Sequence, residues 1–274
     1  MPELPEVQTI VNGMRKEIIN TSIKKITVFY SKVIKGSVKY FKQHTENNRI
    51  TALKRHGKYI FIELANAYTI IVHLRMTGQL FTAPLEYQPD KHTHLEIILN
   101  NSKQKIVYRD TRIFGRFELI PGCDKKAYIK VKKLAPDALT MTSVTFRKKL
   151  ENRKKNIKAC LLDQSVIAGL GNIYTDEVLL QEKIDPYFPA GRLDSDRVKG
   201  LLKTIKKTLK KAIAAQGTTV SDYVNSYGAH GTFQLKLRAY KQKDNPCPHC
   251  RTPIQKTKLA GRGTYYCPQC QSGS

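Results

Sequence analysis

The sequence predicts an α+β protein: one leading helix, an antiparallel β-sandwich or barrel, and a helical half that ends in a metal-binding segment. Three observations predict this order. An amphipathic stretch opens the chain, short β-rich runs follow it, and four cysteines in two pairs lie within the last 28 residues. With 274 residues, the chain is long enough for two compact domains, each with its own core.

The leading element is a helix predicted over residues 5–20. Its apolar residues recur at the three- and four-residue spacing that is typical of one buried helix face. They are Val7, Ile10, Val11, Met14 and Ile18. Two prolines and two glutamates precede this stripe, and both residue types are favoured in a first helical turn. The opening therefore has an ordinary interpretation as the start of a helix.

The same opening also indicates a nucleophile. Removal of Met1 leaves Pro2 with a free secondary amine. A terminal amine titrates near 8 and a lysine near 10.4, so at neutral pH about 300 times more of the terminal amine is unprotonated. A secondary amine that attacks an aldehyde carbon forms a cationic iminium, which is an electron sink. On these residues alone, the helix start and the nucleophile both remain open.

After the first helix come short β-rich runs, separated by Gly, Asn, Pro and charged residues, as in an antiparallel sandwich or barrel. We predict strands at 23–29, 58–64, 69–74, 95–99, 105–108 and 116–120. Near Pro136 the pattern changes from strands to helices, which indicates a domain junction. The expected domains are a catalytic β-domain over 1–135, a helical domain over 136–240 and a zinc-binding segment over 241–274.

Four helices are predicted in the second half, at 143–152, 157–164, 173–182 and 195–216. Asp194 is the expected N-cap of the last, and Gly217 its terminator. Before the third helix, the glycine-rich turn at 168–172 is expected to expose backbone amides, with Asn172 as the cap. It is either a phosphate site, with Lys154, Lys155 and Lys158 just upstream, or a simple turn between packed helices.

The charge balance points to a polyanionic partner. Forty-eight Lys and Arg against 22 Asp and Glu give a formal charge of +26. Nucleic acid fits better than a membrane, because no apolar run of 18 residues occurs and the basic residues are spread along the chain. A ribosome-associated or merely basic protein is the alternative. No signal segment precedes Pro2, so we expect a reducing cytosol without disulfides.

Four of the six cysteines have the spacing of a zinc site. Cys247 and Cys250 form one Cys-x-x-Cys pair, Cys267 and Cys270 form the other, and sixteen residues separate the pairs. Four thiolates leave no open coordination position, so the expected Zn²⁺ is structural. Between the pairs, Arg262 is flanked by glycines at an expected hairpin tip, either facing DNA or simply solvated.

The two remaining cysteines, Cys123 and Cys160, stand alone in the sequence. We interpret both as small, partly buried residues rather than as metal ligands.

Three motifs in this order resemble one family over essentially the whole chain. They are Met-Pro-Glu-Leu-Pro-Glu at the start, Gly-Leu-Gly-Asn-Ile-Tyr in the middle and the two Cys-x-x-Cys pairs. The runs His73-Leu-Arg-Met76 and Asp110-x-Arg112-x-Phe114-Gly also look like family signatures. The chain thus resembles bacterial formamidopyrimidine-DNA glycosylases (MutM). The resemblance implies a β-sandwich with a leading helix, then a helix-two-turn-helix domain and a β-hairpin zinc finger.

The resemblance also implies a chemistry. Pro2 would attack the sugar C1′ of an oxidised purine, displace the base and form the iminium. Glu3 would transfer protons during base release and the following β,δ-elimination, and Glu6 would be a secondary site residue. Because C1′ is not reachable in a stacked duplex, the nucleotide must be flipped out. The segment 217–231 resembles the mobile loop that covers an everted purine.

Further roles follow from the resemblance, residue by residue. Lys58, beside the lesion, and Arg262, in the finger, would bind DNA phosphate and complete the catalytic set with Pro2 and Glu3. Other DNA contacts would be His73 and Asn172. Lys155 is also expected to bind DNA, because of its place upstream of the glycine-rich turn. Met76, Arg112 and Phe114 would fill the gap left by the extruded base. Without the resemblance, Met76 and Phe114 read as core residues, because apolar residues beside strands usually pack inward.

Three alternatives remain. An endonuclease VIII-like enzyme for oxidised pyrimidines is disfavoured by Leu4, by Arg112 with Phe114 and by the long loop. A non-catalytic damaged-DNA-binding paralogue would follow if Met1 is retained, because the Pro2 nitrogen is then a tertiary amide. A basic ribosome-binding zinc protein is the third. We expect a monomer with one structural Zn²⁺ that acts on double-stranded DNA with oxidised bases in the bacterial cytoplasm, at the nucleoid and away from membranes.

Overall fold

The computed structural model describes residues 1–100, 102–122, 125–220 and 223–273. The chain divides into two compact units, Met1–Tyr128 with Ile213–Thr232, and Ile129–Ala212 with Phe233–Ser274. The predicted α+β class and N-terminal sandwich are confirmed. The domain boundaries after residues 135 and 240 stay a prediction, and Cys123 lies outside the described residues.

The first helix, α1, spans Leu4–Ile18. All five residues of its predicted apolar stripe are at most 1% exposed, so the buried face is confirmed. Glu3 is the N-cap in extended conformation, and its backbone N–H donates to Glu6 Oε2 at 2.8 Å. The two N-terminal glutamates thus close the first turn, where the helix dipole favours negative charge.

Nine strands and two further helices follow α1 in the described residues up to Val131, and the last helix extends into the second unit. The strands are β1 (Ile23–Val28), β2 (Ile34–Lys35), β3 (Ile50–His56), β4 (Tyr59–Leu64), β5 (Tyr68–His73), β6 (Gly78–Pro84), β7 (Thr93–Leu99), β8 (Gln104–Asp110) and β9 (Arg116–Pro121). The helices are α2 (Val38–Thr45) and α3 (Lys125–Val131).

The strands form two sheets. One has the order β1-β7-β8-β6, and the other β2-β9-β5-β4-β3. All neighbours are antiparallel except the short pair β2 and β9. Apolar side chains of both sheets and of α1 form one buried cluster, in which the rings of Tyr108 and Phe117 have centroids 4.9 Å apart. This shared core makes the two sheets a sandwich.

The leading helix is confirmed, but the sequence analysis missed α2, which also lies within the first unit. Ser37 caps it by accepting the N–H of Tyr40 at 3.3 Å. Only Phe41 and Thr45 of its eight residues are buried. So short an apolar face gives no helical periodicity in the sequence.

The four helices predicted in the second half are confirmed. They are α4 (Ser143–Leu150), α5 (Ile157–Leu162), α6 (Asn172–Gln181) and α7 (Ser195–Ala214). Asp194 caps α7 as predicted, because its Oδ1 accepts the backbone N–H of Asp196 and Arg197. In residues 1–100, 102–122, 125–220 and 223–273, none of the helices combines the length and apolar character that a membrane crossing requires.

The last elements are the strands β10 (Gln255–Leu259) and β11 (Arg262–Tyr266), which pair antiparallel. The two residues between them, Ala260 and Gly261, both have positive φ, at 51° and 70°. This is the turn that a two-residue hairpin requires, and glycine adopts it without strain. Arg262 therefore follows the tip directly, and its side chain is exposed.

Candidate active site

The N-terminus is buried in the first unit. Pro2 is buried, Glu3 is 2% exposed and Glu6 is 1% exposed, whereas Met1 is 41% exposed. Two carboxyl groups therefore lie within one residue and four residues of the Pro2 nitrogen along the chain, in a region that excludes water. Carboxyl groups so placed are suited to proton transfer at a neighbouring reactive atom.

Glu6 joins the N-terminus to a distant segment. Its Oε2 accepts the N–H of Glu3, and its Oε1 accepts the N–H of Thr218, both at 2.8 Å. Thr218 is the second residue of the segment 217–231, which the resemblance assigns to a loop over the damaged base. The Glu6 side chain thus fixes both the start of α1 and the first residues of that segment, which we call its stem. Because Glu6 and Thr218 are 212 residues apart, the sequence gives no sign of this link.

The rest of the segment has a packed part and an exposed part. Ser226 O accepts the N–H of Thr82 at 2.9 Å, and a Cβ on Gly13 would lie 1.8 Å from Ser226 Oγ. The chain therefore passes between α1 and β6. From Tyr227 to His230 it is exposed, with Tyr227 at 60%. Ser221 and Asp222, also in the predicted loop, lie outside the described residues.

The loop after β8 carries Arg112 and Phe114 into solvent. Phe114 is 46% exposed, and the Arg112 guanidinium lies 4.7 Å from the centre of its ring. The interpretation of Phe114 as a core residue is therefore wrong, and Met76 is half-buried. An exposed aromatic ring stacked with an arginine is suited to contact with bases.

Asp110 shapes that loop. Fully buried, it accepts the N–H of Arg112 at 3.1 Å, the N–H of Gly115 at 2.9 Å and the hydroxyl of Tyr108 at 2.8 Å. Burial alone raises the pKa of a carboxyl group, but a hydrogen bond from the Thr77 hydroxyl, together with these three, outweighs it and lowers the pKa of Asp110. A Cβ at Gly115 would lie 1.8 Å from the Tyr108 hydroxyl, so only glycine fits there.

His73 and Lys58 lie at strand ends of the same unit. His73 ends β5, and its Nδ1 accepts the N–H of Arg75 at 3.0 Å, so the ring proton is on Nε2. Burial lowers the pKa of His73 to about 3, and the charges of Arg75 and Lys58 act in the same direction. His73 is therefore a neutral donor. Lys58, in the β3–β4 turn, is 5% exposed.

In the second unit, the N-terminus of α6 does not have the predicted cap. Gly171 is the N-cap, and the Asn172 side chain donates from Nδ2 to Gly263 O in the hairpin at 2.8 Å. The prediction that Asn172 caps α6 was wrong, because the residue already lies inside the helix and its side chain donates to β11 instead. Arg262 and Lys155 are both exposed in this unit.

The four predicted zinc ligands come together. The sulfur atoms of Cys247, Cys250, Cys267 and Cys270 all lie within 4.8 Å of one another. Two separations are 3.9 Å and 3.4 Å. A tetrahedral Zn²⁺ with bonds of about 2.3 Å holds sulfurs about 3.8 Å apart, so the donor set fits this metal. Cys160 is not part of the cluster and is fully buried in α5.

The structure thus has two groups of predicted site residues. The first unit contains Pro2, Glu3, Lys58, His73, Met76, Arg112 and Phe114. The second contains Lys155, Asn172, Arg262 and the four zinc-binding cysteines. The sequence analysis placed Lys158 beside a possible phosphate site, but the residue is fully buried beside the hairpin and pairs with Asp176. It did not identify Asp176. It also gave no role to Asp110 beyond the motif that contains it. A charged residue inside an apolar helix pattern was the available signal for Asp176.

Comparison with known proteins agrees with this geometry. The formamidopyrimidine-DNA glycosylase N-terminal domain model matches residues 1–117. The H2TH domain model of the same proteins matches 134–224, and a zinc finger found in FPG and IleRS matches 244–273.

The chain belongs to the formamidopyrimidine-DNA glycosylase family. The predicted helix-two-turn-helix domain and zinc finger, and the single structural zinc, are thereby confirmed. A formamidopyrimidine-DNA glycosylase of Ligilactobacillus salivarius is 41% identical over 273 residues, with 99% of each chain covered.

Solved structures of the family superpose over the whole chain. A complex of a Lactococcus lactis FPG point mutant with Fapy-dG-containing DNA has a TM-score of 0.93 at 35% identity, covering 99% of this chain and 100% of that one. A complex of MutM with DNA containing carbocyclic 8-oxo-G has a TM-score of 0.92 with the same identity and coverage. Both relatives are described with damaged DNA bound.

Proposed function

We propose that this chain is a bifunctional DNA glycosylase and abasic-site lyase of base excision repair. Its substrates are oxidised purines, 8-oxoguanine and formamidopyrimidines, in double-stranded DNA. The observation that carries the proposal is the buried N-terminus, where Pro2 is followed by Glu3 and Glu6 and the helix start is fixed to the segment 217–231. Family membership supplies the reaction class.

The reaction requires prior removal of Met1, because the lone pair of the Pro2 nitrogen is delocalised into the carbonyl while the nitrogen is part of an amide. A small second residue such as proline normally permits that removal. The free amine attacks C1′ of the flipped nucleotide, and the glycosidic bond breaks with its electron pair going to the departing base. The departing base takes up the proton that the amine nitrogen loses. The C1′–O4′ bond then breaks with its electron pair going to O4′, and the product is an iminium between Pro2 and the opened sugar.

Glu3 supplies the proton transfers. As an acid it protonates the sugar as the ring opens, and as a base it accepts protons during the two eliminations that release the 3′ and then the 5′ phosphate. Glu6 serves as a hydrogen-bond acceptor, because its two oxygens accept the N–H groups of Glu3 and Thr218. Its role is to hold the N-terminus and the segment stem in register.

The DNA contacts differ in kind. Lys58, Lys155 and Arg262 offer charge to phosphates, whereas His73 offers a neutral Nε2–H and Asn172 lies at the N-terminus of α6. Met76, Arg112 and Phe114 would enter the duplex where the base has left, with Arg112 pairing to the orphaned cytosine. Zn²⁺ on the four cysteines holds the hairpin that carries Arg262 and takes no part in the chemistry.

The test is reduction with borohydride during turnover. Duplex DNA with 8-oxoguanine opposite cytosine is mixed with the protein, and a covalent adduct is expected because borohydride reduces the iminium to a stable amine. Acetylation of the N-terminus is the control that should abolish the adduct. Absence of an adduct from protein whose free Pro2 amine has been verified by mass spectrometry would contradict the proposal and favour a non-catalytic DNA-binding paralogue.

The lesion class is tested side by side. Oxidised guanine and oxidised thymine are placed in the same duplex sequence, and single-turnover excision rates are compared. We expect faster release of the purine, because Leu4, Arg112 with Phe114, and the long 217–231 segment all disfavour an endonuclease VIII-like enzyme. Faster release of the pyrimidine would favour the endonuclease VIII-like alternative.

The same proposal covers partner and location. We infer that a monomer scans double-stranded DNA in the bacterial cytoplasm, at the nucleoid. A formal charge of +26 and several phosphate contacts predict that DNA affinity falls by about 10³ to 10⁵ between low and moderate salt. Salt-independent affinity, or equal affinity for RNA, would favour a basic ribosome-binding protein.

A further inference from the structure

The hairpin that carries Arg262 has an open edge. Leu259 and Arg262 flank its two-residue turn and pair directly. Hydrogen-bonded pairs alternate along such a ladder, so the backbone groups of Gly263 and Tyr265 face away from β10. An open edge of this kind needs partners from elsewhere in the fold.

Side chains of α5 and α6 supply those partners. Gly263 O accepts from Asn172 Nδ2 at 2.8 Å and from Lys158 Nζ at 3.2 Å. The N–H of Tyr265 donates to Asp176 Oδ2 at 3.1 Å. Two successive outward groups of β11 are thus held by three side chains of the helical domain.

The two charged partners are also joined to each other. Lys158 Nζ lies 2.6 Å from Asp176 Oδ1, and both side chains are completely buried. Burial raises the pKa of Asp176 to about 7, against the opposing effects of Lys158 and of the Tyr265 N–H. Each charge therefore depends on the other and on the strand. Removing one alone leaves a buried charge without compensation.

The neighbouring carboxylate holds the entry to the hairpin segment. Glu177 accepts the N–H groups of Arg238, Ala239 and Tyr240 at 2.8–3.1 Å. Consecutive residues of α6 thus bind the chain before the hairpin and the strand after its tip. The zinc ion adds a third constraint, at the far end of both strands from Arg262.

We propose that Asp176, paired with Lys158, is a positioning residue for Arg262, fixing β11 to α6 so that the guanidinium meets a DNA phosphate. The position of Arg262 then depends on this buried pair as well as on zinc. The inference rests on the proposed function only in taking Arg262 to contact DNA.

A double-mutant cycle on binding tests the inference. The first variant combines Lys158→Met with Asp176→Asn, so that neither buried charge is left without its partner. The second is Arg262→Ala, and the third carries all three changes. The readout is affinity for a duplex with a tetrahydrofuran abasic analogue, which needs no catalysis. We expect the paired change and Arg262→Ala each to weaken binding about tenfold, and the combination to weaken it hardly further.

The chain offers a matched control. Lys105 and Glu96 form another buried pair, 2.8 Å apart and less than 10% exposed, in the sandwich of the first unit. Lys105→Met with Glu96→Gln should leave binding within about twofold of the wild type. Zinc content should stay at one ion per chain in every variant.

Three results would overturn the inference. The first is a loss of DNA affinity in the combined variant that equals the product of the two separate losses. The second is an equal loss of affinity in the Lys105 and Glu96 control, and the third is loss of zinc from the Lys158 and Asp176 variant. Its failure is distinguishable from failure of the proposed function. Wild-type protein that binds the analogue but forms no borohydride adduct contradicts the function alone, whereas a trapped adduct with multiplying effects contradicts the positioning role alone.

Discussion

The two units hold their functional residues by different means. In the first, the N-terminus and the loop after β8 rest on a large core shared by two sheets and α1. In the second, the hairpin has only a small buried cluster of Leu180, Ala239, Cys247, Ile254 and Cys267, in which two members are metal ligands. The first site is therefore arranged by folding itself, and the second by zinc and by side chains of α6.

Both units use buried carboxyl groups to hold backbone segments. In each unit, two buried carboxyl groups accept backbone N–H groups close to predicted site residues: Glu6 and Asp110 in the first, Asp176 and Glu177 in the second. Because a carboxylate accepts several hydrogen bonds at once, it fixes a loop more tightly than an amide does. The comparison predicts that a change at the N-terminus impairs the chemistry, whereas a change in the hairpin impairs DNA binding.

The largest expected effect is on chemistry alone. Glu3→Gln keeps the size of the side chain but removes its acid–base function, so single-turnover excision of 8-oxoguanine should fall by about 10² to 10⁴. Affinity for a tetrahydrofuran duplex should change by less than about twofold. Glu63→Gln is the matched control, since Glu63 is also a buried carboxylate but pairs with Lys54 in the sheet. Equal losses in both variants would contradict a catalytic role.

The next effect is on binding alone. Cys250→Ser removes one ligand, so the hairpin should unfold and DNA affinity should fall about a hundredfold, while the first unit keeps its cooperative thermal transition. Calorimetry and a binding titration measure the two quantities. Cys160→Ser makes the same change at a buried cysteine outside the metal cluster and should retain zinc and affinity. Unchanged affinity after zinc loss would show that the hairpin does not bind DNA.

A smaller effect separates Glu6 from Glu3. Glu6→Gln leaves one carbonyl oxygen for two N–H groups, which should weaken the link between N-terminus and segment stem by about 1 to 2 kcal/mol and slow excision about tenfold. Glu46→Gln is the control, since Glu46 accepts the N–H of Ile26 at 2.7 Å away from the site. Excision at the wild-type rate in Glu6→Gln would remove Glu6 from the mechanism.

The smallest effect concerns pH. Because the pKa of His73 is lowered to about 3 in the folded chain, protons bind its unfolded form first as pH falls below about 6.5. Its contribution to stability is therefore complete above that pH and is lost progressively toward pH 3. Urea unfolding at pH 7 and pH 5 should show a smaller pH-dependent loss in His73→Gln than in the wild type. The exposed His230→Gln should match the wild type; identical behaviour of all three proteins would contradict a neutral His73.

Regular patterns made much of the fold predictable. The stripe of α1, the four later helices and the cysteine pairs follow from residue spacing alone. β3 was missed because a bulge between Ile50 and Ala52 breaks its alternation, so its burial repeats every third residue instead of every second. β6 was missed because it begins at a glycine and ends at a proline, both typical strand breakers.

Part of the candidate site could likewise be predicted from the sequence, and part could not. Pro2, Glu3 and the zinc ligands stand in compact motifs, so the sequence identifies them as candidates. Glu6 accepts the backbone N–H of Thr218, at a sequence separation of 212 residues. Asp176 accepts that of Tyr265, at a separation of 89 residues. Every residue except proline has such a group, so no residue type marks these contacts. The neutral state of His73 likewise depends on burial and on two neighbouring cations that only the fold brings together.

Peptide mapping of the borohydride adduct bears most directly on the N-terminal amine as the nucleophile. Trypsin cleavage after Arg15 should give one modified peptide, Pro2–Arg15, with the reduced sugar on the Pro2 nitrogen and Met1 absent. The predicted result is that all trapped protein carries the sugar there. Modification of a lysine such as Lys58, with an unmodified Pro2, would contradict the account.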